Sequence, residues 1–432
     1  MSTLLILGGT VISPADGLNG ALDILVEGGV IRQISGGTAL GSGARADVTL
    51  DARGQCVAPG FIDIHVHLRE PGGEESETLE TGLAAAVAGG FTAVCPMPNT
   101  RPVNDSAELT RAMAQSARRL GLARVLPIAA VSTGSAGEAL TDFAALKGAG
   151  AVAFSDDGRP VKTSTLMREA LVRASTLDMR VIDHCEDVSA SAGGVMNAGA
   201  AASALGLKGI ANASEESCIA RDVALARETG GRLHVAHLST AAGVEMVRAA
   251  KAEGVQVTCE VTPHHFTLTD DAVAVYGTAA KMNPPLRSER DREAILAALA
   301  DGVIDAIATD HAPHSPRLKA QPLATAPFGV TGLETALGLA ITQLVEPGRI
   351  SMARLIELLS ARPARILKLA GGCLRVGAAA DITLFDPARN WTYRASEGKS
   401  KSYNSPFEGW TLKGAVTATI VEGKIVYRRG VM

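Results

Sequence analysis

Residues 61–95 read FIDIHVHLREPGGEESETLETGLAAAVAGGFTAVC. A short apolar run, FIDIHV, opens the stretch and another, FTAVC, closes it, with an Ala- and Leu-rich segment between them that ends on Gly-Gly. Strand, helix, strand is the grammar of a parallel βα unit. Working outward, the same alternation runs from about residue 60 to 370. Strands are predicted at 61–66, 91–95, 124–129, 151–155, 180–184, 233–237, 256–261 and 303–308. Segments with helical spacing lie between them, such as SAELTRAMAQSARRL (106–120), SEESCIARDVALARE (214–228) and TAAGVEMVRAAKAE (240–253). Eight such units predict an α/β fold of the (β/α)8 TIM-barrel type, with its chemistry at the C-terminal ends of the strands. The Ala/Gly-rich stretch 189–213 reads as an excursion after the fifth strand.

The two ends of the chain have a different texture. LLILGGTVIS, ALDILVEGGVIRQIS and ADVTLDARGQCVAPG at the start, and ADITLFDP and AVTATIVEGKIVYRRG at the end, are short β-prone runs between turn residues. They predict one small β-sandwich domain built from both termini, as residues 1–58 and 371–432 around a barrel at 59–370. The E-G pair near the end is expected to close a hairpin.

Composition narrows the function. The 432 residues carry Lys+Arg 41 against Asp+Glu 45, a formal net charge of −4. Global electrostatics therefore gives no case for nucleic acid or an acidic membrane surface. The N-terminus lacks a basic region ahead of its apolar run, and GLAAAVAGGFTAVCPM falls short of the roughly 20 residues that span a bilayer. A cytoplasmic protein is expected. The six cysteines are scattered without a C-x-x-C pair, and read as small buried hydrophobes in a reducing compartment. Gly 46 points to many tight turns.

Histidine is scarce, at 9 in the chain, so its placement is informative. His65 and His67 are two apart on the first strand and share a face, with Arg69 two further on. An H-x-H pair alone is an ordinary polar pair. Here, however, His184 ends RVIDH, His237 ends LHVAH, Asp310 follows VIDAIAT, and Asp157 sits two residues past AVAFS. Burying one unpaired polar group costs on the order of 1–3 kcal/mol, so a ring of them at strand ends calls for a common cause. Imidazole plus carboxylate without thiolate suits Zn²⁺, with Mn²⁺, Co²⁺ or Fe²⁺ as alternatives. Four histidines and two carboxylates suit two ions about 3.5–4 Å apart. Two divalent cations against two aspartates and one hydroxide leave a local charge of +1, suited to an anionic substrate. His234, His264 and His265 are expected to be structural, with His234 facing away from the ligand side. His311 is expected to support Asp310.

The motifs DIHVHLREPG, PMPNTRPV, ATDHAPH and PFGVTGLET, in this order over nearly the whole chain, resemble dihydroorotases of the amidohydrolase superfamily. The resemblance implies two Zn²⁺ per chain, one held by His65, His67 and Asp310 and the other by His184 and His237. A residue after the fourth strand bridges both ions. Hydantoinases and allantoinases place a carboxylated lysine there, whereas here Lys162 lies several residues beyond the strand end. AVAFSDDG resembles the bacterial branch that bridges with aspartate, and its second aspartate, Asp157 rather than Asp156, matches the ligand position. By the same resemblance Arg69, Asn99 and His314 hold the substrate carboxylate, while Asn283 and the backbone at Phe328 and Gly329 read the ring amide. The implied reaction is reversible hydrolysis of (S)-dihydroorotate to N-carbamoyl-L-aspartate in pyrimidine biosynthesis, with Asp310 moving the proton between water and the ring nitrogen. A small-molecule substrate, a homodimer and association with aspartate transcarbamoylase belong to the same expectation. The alternatives are another cyclic amidohydrolase, or a non-catalytic partner of the transcarbamoylase. One departure stands out: after DHAPH many members carry acidic residues before a lysine, whereas this chain has SPRLKAQPLATAPFG, which keeps Lys319 and the PFG element but not the acidic pair.

Overall fold

The computed structural model describes residues 2–36 and 46–430. Both ends of the chain build one sheet. Its strands lie in the order Lys424–Arg428, Thr411–Val421, Ile382–Thr392, Cys56–Pro59, Thr3–Ser13, Leu18–Glu27 and Val30–Gly36, with Val48–Asp51 also pairing Thr3–Ser13. The seam between the two ends is antiparallel, with Ile382 opposite Pro59 and Phe385 opposite Cys56. Leu4, Ile6, Val11, Ile24, Val26, Ile31, Ile382 and Ile420 make its core. The expected hairpin turn is present: Glu422 (φ 48°) and Gly423 (φ 77°) are both left-handed, as a two-residue turn between right-twisted strands requires. The sheet is fastened to the middle of the chain, where the Thr383 and Thr419 hydroxyls donate to the Gly90 and Val87 carbonyls at 2.6 Å each.

The middle is α/β, and strands occur at all eight expected places. Phe61–Val66, Phe91–Pro96 and Arg124–Val125 form one parallel run. Ile128–Ala129, Ala153–Phe154, Val181–Asp183, Leu233–Val235, Val257–Val261 and Ala306–Ile307 form another. The expected third strand is split between the runs by Leu126–Pro127, where proline has no N–H to give the ladder. The first and last strands also meet: Val66 bridges His311 in parallel, and the His67 N–H donates to the His311 carbonyl at 2.8 Å.

The strands have two dry faces. Phe91, Val94, Phe154, Val181, Val235 and Val261 pack against helix residues such as Leu83, Met167, Ile219 and Val244. Ile62, Ile64, Ala93, Ile128, Ala153, Ile182, Ala236 and Ala306 form a separate cluster of isoleucines and alanines on the other face. Helix boundaries follow capping chemistry. Ser106 accepts from the Leu109 N–H to start Ala107–Leu120, which ends at left-handed Gly121. The excursion at 189–213 holds a two-stranded parallel pair, Met196–Asn197 with Gly209–Ile210, around helix Ala200–Ala204.

Candidate active site

Strict alternation along Phe61–Val66 would put His65 on the side opposite Ile62 and Ile64. It does not hold. The pairing with Phe91–Pro96 shifts register between Asp63 and Val66, so Val66 packs outward with the helices while His65 and His67 join the interior side. A bulge that re-aims side chains is a common device beside a site. Three neighbouring positions are held in left-handed backbone although none is glycine: Arg69 (φ 60°), His237 (φ 31°) and Asp310 (φ 46°). Such strain persists only where the surroundings over-determine it.

The side chains converge. His65 Nε2 lies 3.4 Å from Asp157 Oδ1 and 3.7 Å from Asp310 Oδ1. His67 Nε2 lies 3.0 Å from Asp310 Oδ1 and 3.6 Å from Asp157 Oδ2. His184 Nδ1 is 2.9 Å from His237 Nε2 and 3.6 Å from Asp157 Oδ1, and His237 Nε2 is 3.8 Å from that same oxygen. Two three-residue groups, His65–His67–Asp310 and His65–Asp157–His237, have ligand atoms close enough to hold a cation. His65 Nε2 and Asp157 Oδ1 are buried with no hydrogen-bond partner, so they keep lone pairs free for an ion.

Carboxylates and an amide outside this ring set which ring nitrogen is available. His65 Nδ1 donates to Glu260 Oε1 at 2.6 Å, leaving Nε2 as the ligand nitrogen. His67 Nδ1 donates to Asn99 Oδ1 at 2.9 Å. His184 Nε2 faces Glu186 Oε2 at 3.0 Å, so its inward nitrogen is Nδ1. Burial opposes ionisation of Asp157, but the His65 charge and the neighbouring His184 and His237 rings outweigh it and hold the carboxyl well below its ordinary range. Burial likewise disfavours a charged His184, yet Asp157 and Glu186 push it up to about 10.

Asp156 takes no part. Its carboxylate accepts from the Ser132 N–H at 3.1 and 3.2 Å and from the Ser132 hydroxyl. Asp157, its neighbour, faces the four histidines.

A cavity of about 320 Å³ opens above this cluster, lined among others by His67, Arg69, Asn99, Asn283, His314, Phe328 and Gly329. Arg69 Nε donates to the Pro313 carbonyl at 3.1 Å, and its Nη2 lies 3.3 Å from His314 Nε2. Burial, reinforced by the Arg69 charge, pushes His314 down to about 3, so it is neutral at physiological pH. Asn99 and Asn283 line the cavity too, but their amides are also spent locally, Asn99 on His67 and Asp157 and Asn283 on Glu186 at 3.0 Å.

Several residues escaped the sequence reading. Glu260 joins His65 to His234, whose Nε2 lies 3.2 Å from Glu260 Oε2. The expectation that His234 faces away is therefore wrong: the left-handed turn at His237 lets both histidines of LHVAH reach the interior, with His234 a layer deeper. The acid within the apolar run VTCEV was the available signal. Asp63, pushed up to about 7 by burial, accepts from the Thr309 N–H and hydroxyl and so ties the first strand to the last. Asn404, from the C-terminal segment, donates to the Ala312 and Gly329 carbonyls at 3.0 Å each and accepts from the His314 N–H. His265 is structural as expected, held between Thr262 and the Pro284 carbonyl, and His311 leans on Glu77 at 3.2 Å.

A family model described as Dihydro-orotase-like matches residues 54–242. The chain is 48% identical over 425 residues to a dihydroorotase of Syntrophus aciditrophicus, covering 98% of this chain and 99% of that protein. It is 50% identical over 426 residues to a dihydroorotase of Pelobacter propionicus, covering 99% and 100%. The chain belongs to the dihydroorotase family. Among solved structures, an L-hydantoinase (dihydropyrimidinase) from Arthrobacter aurescens superposes with a TM-score of 0.88 at 27% identity, covering 100% of this chain and 97% of that one. A D-hydantoinase (dihydropyrimidinase) from Thermus sp. does so with a TM-score of 0.81 at 26% identity, covering 99% and 96%.

Proposed function

We propose that this chain is a zinc-dependent dihydroorotase, interconverting dihydroorotate and N-carbamoyl-aspartate for pyrimidine synthesis. The observation that carries the reading is a paired site. An Arg69–His314 wall suited to a carboxylate borders the same cavity as a buried His4Asp2 cluster with unpartnered ligand atoms. Near-full-length identity to proteins named dihydroorotase supports the substrate.

The cluster is read as holding two zinc ions, with His65, His67 and Asp310 on one side, His184 and His237 on the other, and Asp157 between them. When bound, such ions lower the pKa of water toward about 7 and polarise a carbonyl oxygen. The chain's own residues do the rest. Arg69 offers a guanidinium fork to the substrate carboxylate, and Asn99 stands beside it. His314, kept neutral, adds a polar contact without adding a second positive charge. The Asp310 carboxylate accepts the attacking water's proton and returns it to the leaving ring nitrogen. Asn283 and the backbone of Phe328 and Gly329 bear on the ring amide, which sets the plane presented for attack. Ring closure retraces the same steps.

The two parallel strand runs are read as one closed eight-stranded barrel spanning residues 59–370. Support comes from the Val66–His311 bridge at one join and continuity across Leu126–Pro127 at the other. The terminal sheet (1–58 and 371–432) is the second domain, of sandwich type.

Purified protein assayed in parallel on dihydroorotate, hydantoin and allantoin tests the reading. Turnover of dihydroorotate alone is expected. Turnover of hydantoin or allantoin without dihydroorotate would overturn it.

A further inference from the structure

Two of the six cysteines are not simple core fillers. On the strand that carries His184, Val181 packs outward with the helices and Ile182 packs inward. Continuing that alternation turns His184 into the cavity and sends Asp183 and Cys185, on either side of it, toward the helix layer. There the helix Asn212–Thr229 presents Cys218 and Asp222, four residues apart and therefore on one face. Strand pair and helix pair meet. One ligand atom from each of the four residues lies within 4.8 Å of all the others, and all four residues are buried.

We propose that Asp183, Cys185, Cys218 and Asp222 form a structural site for a thiophilic divalent cation such as zinc, separate from the catalytic cluster. The distances match. Tetrahedral zinc, at about 2.3 Å from sulfur and about 2.0 Å from oxygen, requires sulfur–oxygen edges of about 3.5 Å. Cys218 Sγ lies 3.5 Å from Asp183 Oδ2 and 3.6 Å from Asp222 Oδ2, and Cys185 Sγ lies 3.8 Å from Asp222 Oδ2. Arg221 borders the arrangement: its Nε donates to the other Asp222 oxygen, Oδ1, at 2.7 Å, while its Nη2 lies 3.2 Å from Cys218 Sγ and 3.7 Å from Asp183 Oδ2, so it turns aside when an ion takes those two atoms.

Charge also balances. With both carboxyls counted as ionised, two carboxylates, two thiols and Arg221 sum to −1, and any proton that burial and the Asp222 charge hold on Asp183 leaves with the thiol protons. Replacing the two thiol protons by one divalent cation leaves the sum at −1, with two protons released to water. A cavity of about 270 Å³, bordered by Lys162, Glu186, Cys218 and Arg221, gives the ion a route from solvent. Four protein ligands with no open position make a structural site rather than a catalytic one. Bound there, the ion clamps both residues flanking His184 to the helix behind them.

Cobalt(II) titration of the full-length protein separates this site from the catalytic one, because the catalytic cluster contains no thiol. After the protein's own metal is removed by chelation, a near-ultraviolet sulfur-to-cobalt charge-transfer band whose plateau corresponds to one thiolate-bound cobalt per chain is expected. Cys218→Ser and Cys185→Ser should each lose the band, while Cys56→Ser keeps it and dihydroorotate turnover persists in Cys218→Ser. Absence of the band in the wild-type protein at saturating cobalt would overturn the proposal, whatever the variants do. So would a band that survives both Cys218→Ser and Cys185→Ser.

Discussion

Asp156 and Asp157 are chemically identical neighbours that the chain sends in different directions, one to Ser132 and the other to four histidines. Asp157→Ala should release at least one metal ion per chain and abolish nearly all activity, whereas Asp156→Ala should act mainly on stability. Metal analysis and turnover of both variants check this, and the reverse order would move the bridge to Asp156. Glu260→Gln removes the carboxylate that fixes the His65 tautomer, and should weaken metal affinity by about 10- to 100-fold. A chelator competition titration reads that change directly. At this scale the residues legible in the sequence were those whose polarity was out of place at strand ends. Glu260 and Asp63 left only the mark of an acid inside an apolar run, and Glu186 left none, because a buried carboxylate and an exposed one look alike in a sequence until the fold supplies the partner.

Loops and strand ends show what periodicity alone leaves open. The eight strands were readable from their apolar runs, but neither the slip that turns His65 and His67 inward nor the left-handed turn at His237 has a marker in the residue types. The SPRLK departure is explained by a contact from elsewhere: Arg317 pairs with Glu75 at 2.8 and 2.9 Å, fastening this loop to the one after the first strand. Lys319 donates to the Thr278 and Pro327 carbonyls at 2.8 and 2.9 Å and so carries the segment leading to Phe328 and Gly329. Asn404 holds the same segment from the other side. Asn404→Ala deletes three hydrogen bonds, each worth about 1 kcal/mol. It should raise KM for dihydroorotate about tenfold or more, with a smaller effect on kcat, as steady-state kinetics will show. Gly329 is at φ 140°, and a Cβ there would lie 2.6 Å from the Ala312 carbonyl oxygen. Gly329→Ala should therefore displace the cavity wall and weaken substrate binding as well.

For the whole molecule, β-texture at both ends of the chain foretold a shared terminal sheet, and the structure pairs Ile382–Thr392 with Cys56–Pro59. A chain of nearly neutral charge gathers four buried histidines and two buried aspartates at one mouth. Acid response follows from that. Burial pushes His264 down to about 4, so in the metal-free protein it stays neutral where the unfolded chain takes up a proton. Its stabilising contribution is complete above pH 6.5 and is lost as pH falls toward 4, at about 1.4 kcal/mol per unit. Urea midpoints between pH 7 and 4.5 should fall more steeply for wild type than for His264→Gln, and equal slopes would contradict this. Among the described residues no helix is long and apolar enough to cross a membrane.

Side chains, strand ends and fold meet in a metal-dependent ring opening of dihydroorotate at the His65–Asp310 cluster. The most direct test follows dihydroorotate turnover in one sample before chelation, after it, and after zinc is restored, with bound metal quantified at each stage. Activity and about two catalytic zinc ions per chain should disappear and return together, over and above any ion held at the Cys185–Cys218 site. Turnover that persists after the metal is gone, or a fully zinc-loaded protein that leaves dihydroorotate untouched, would contradict it.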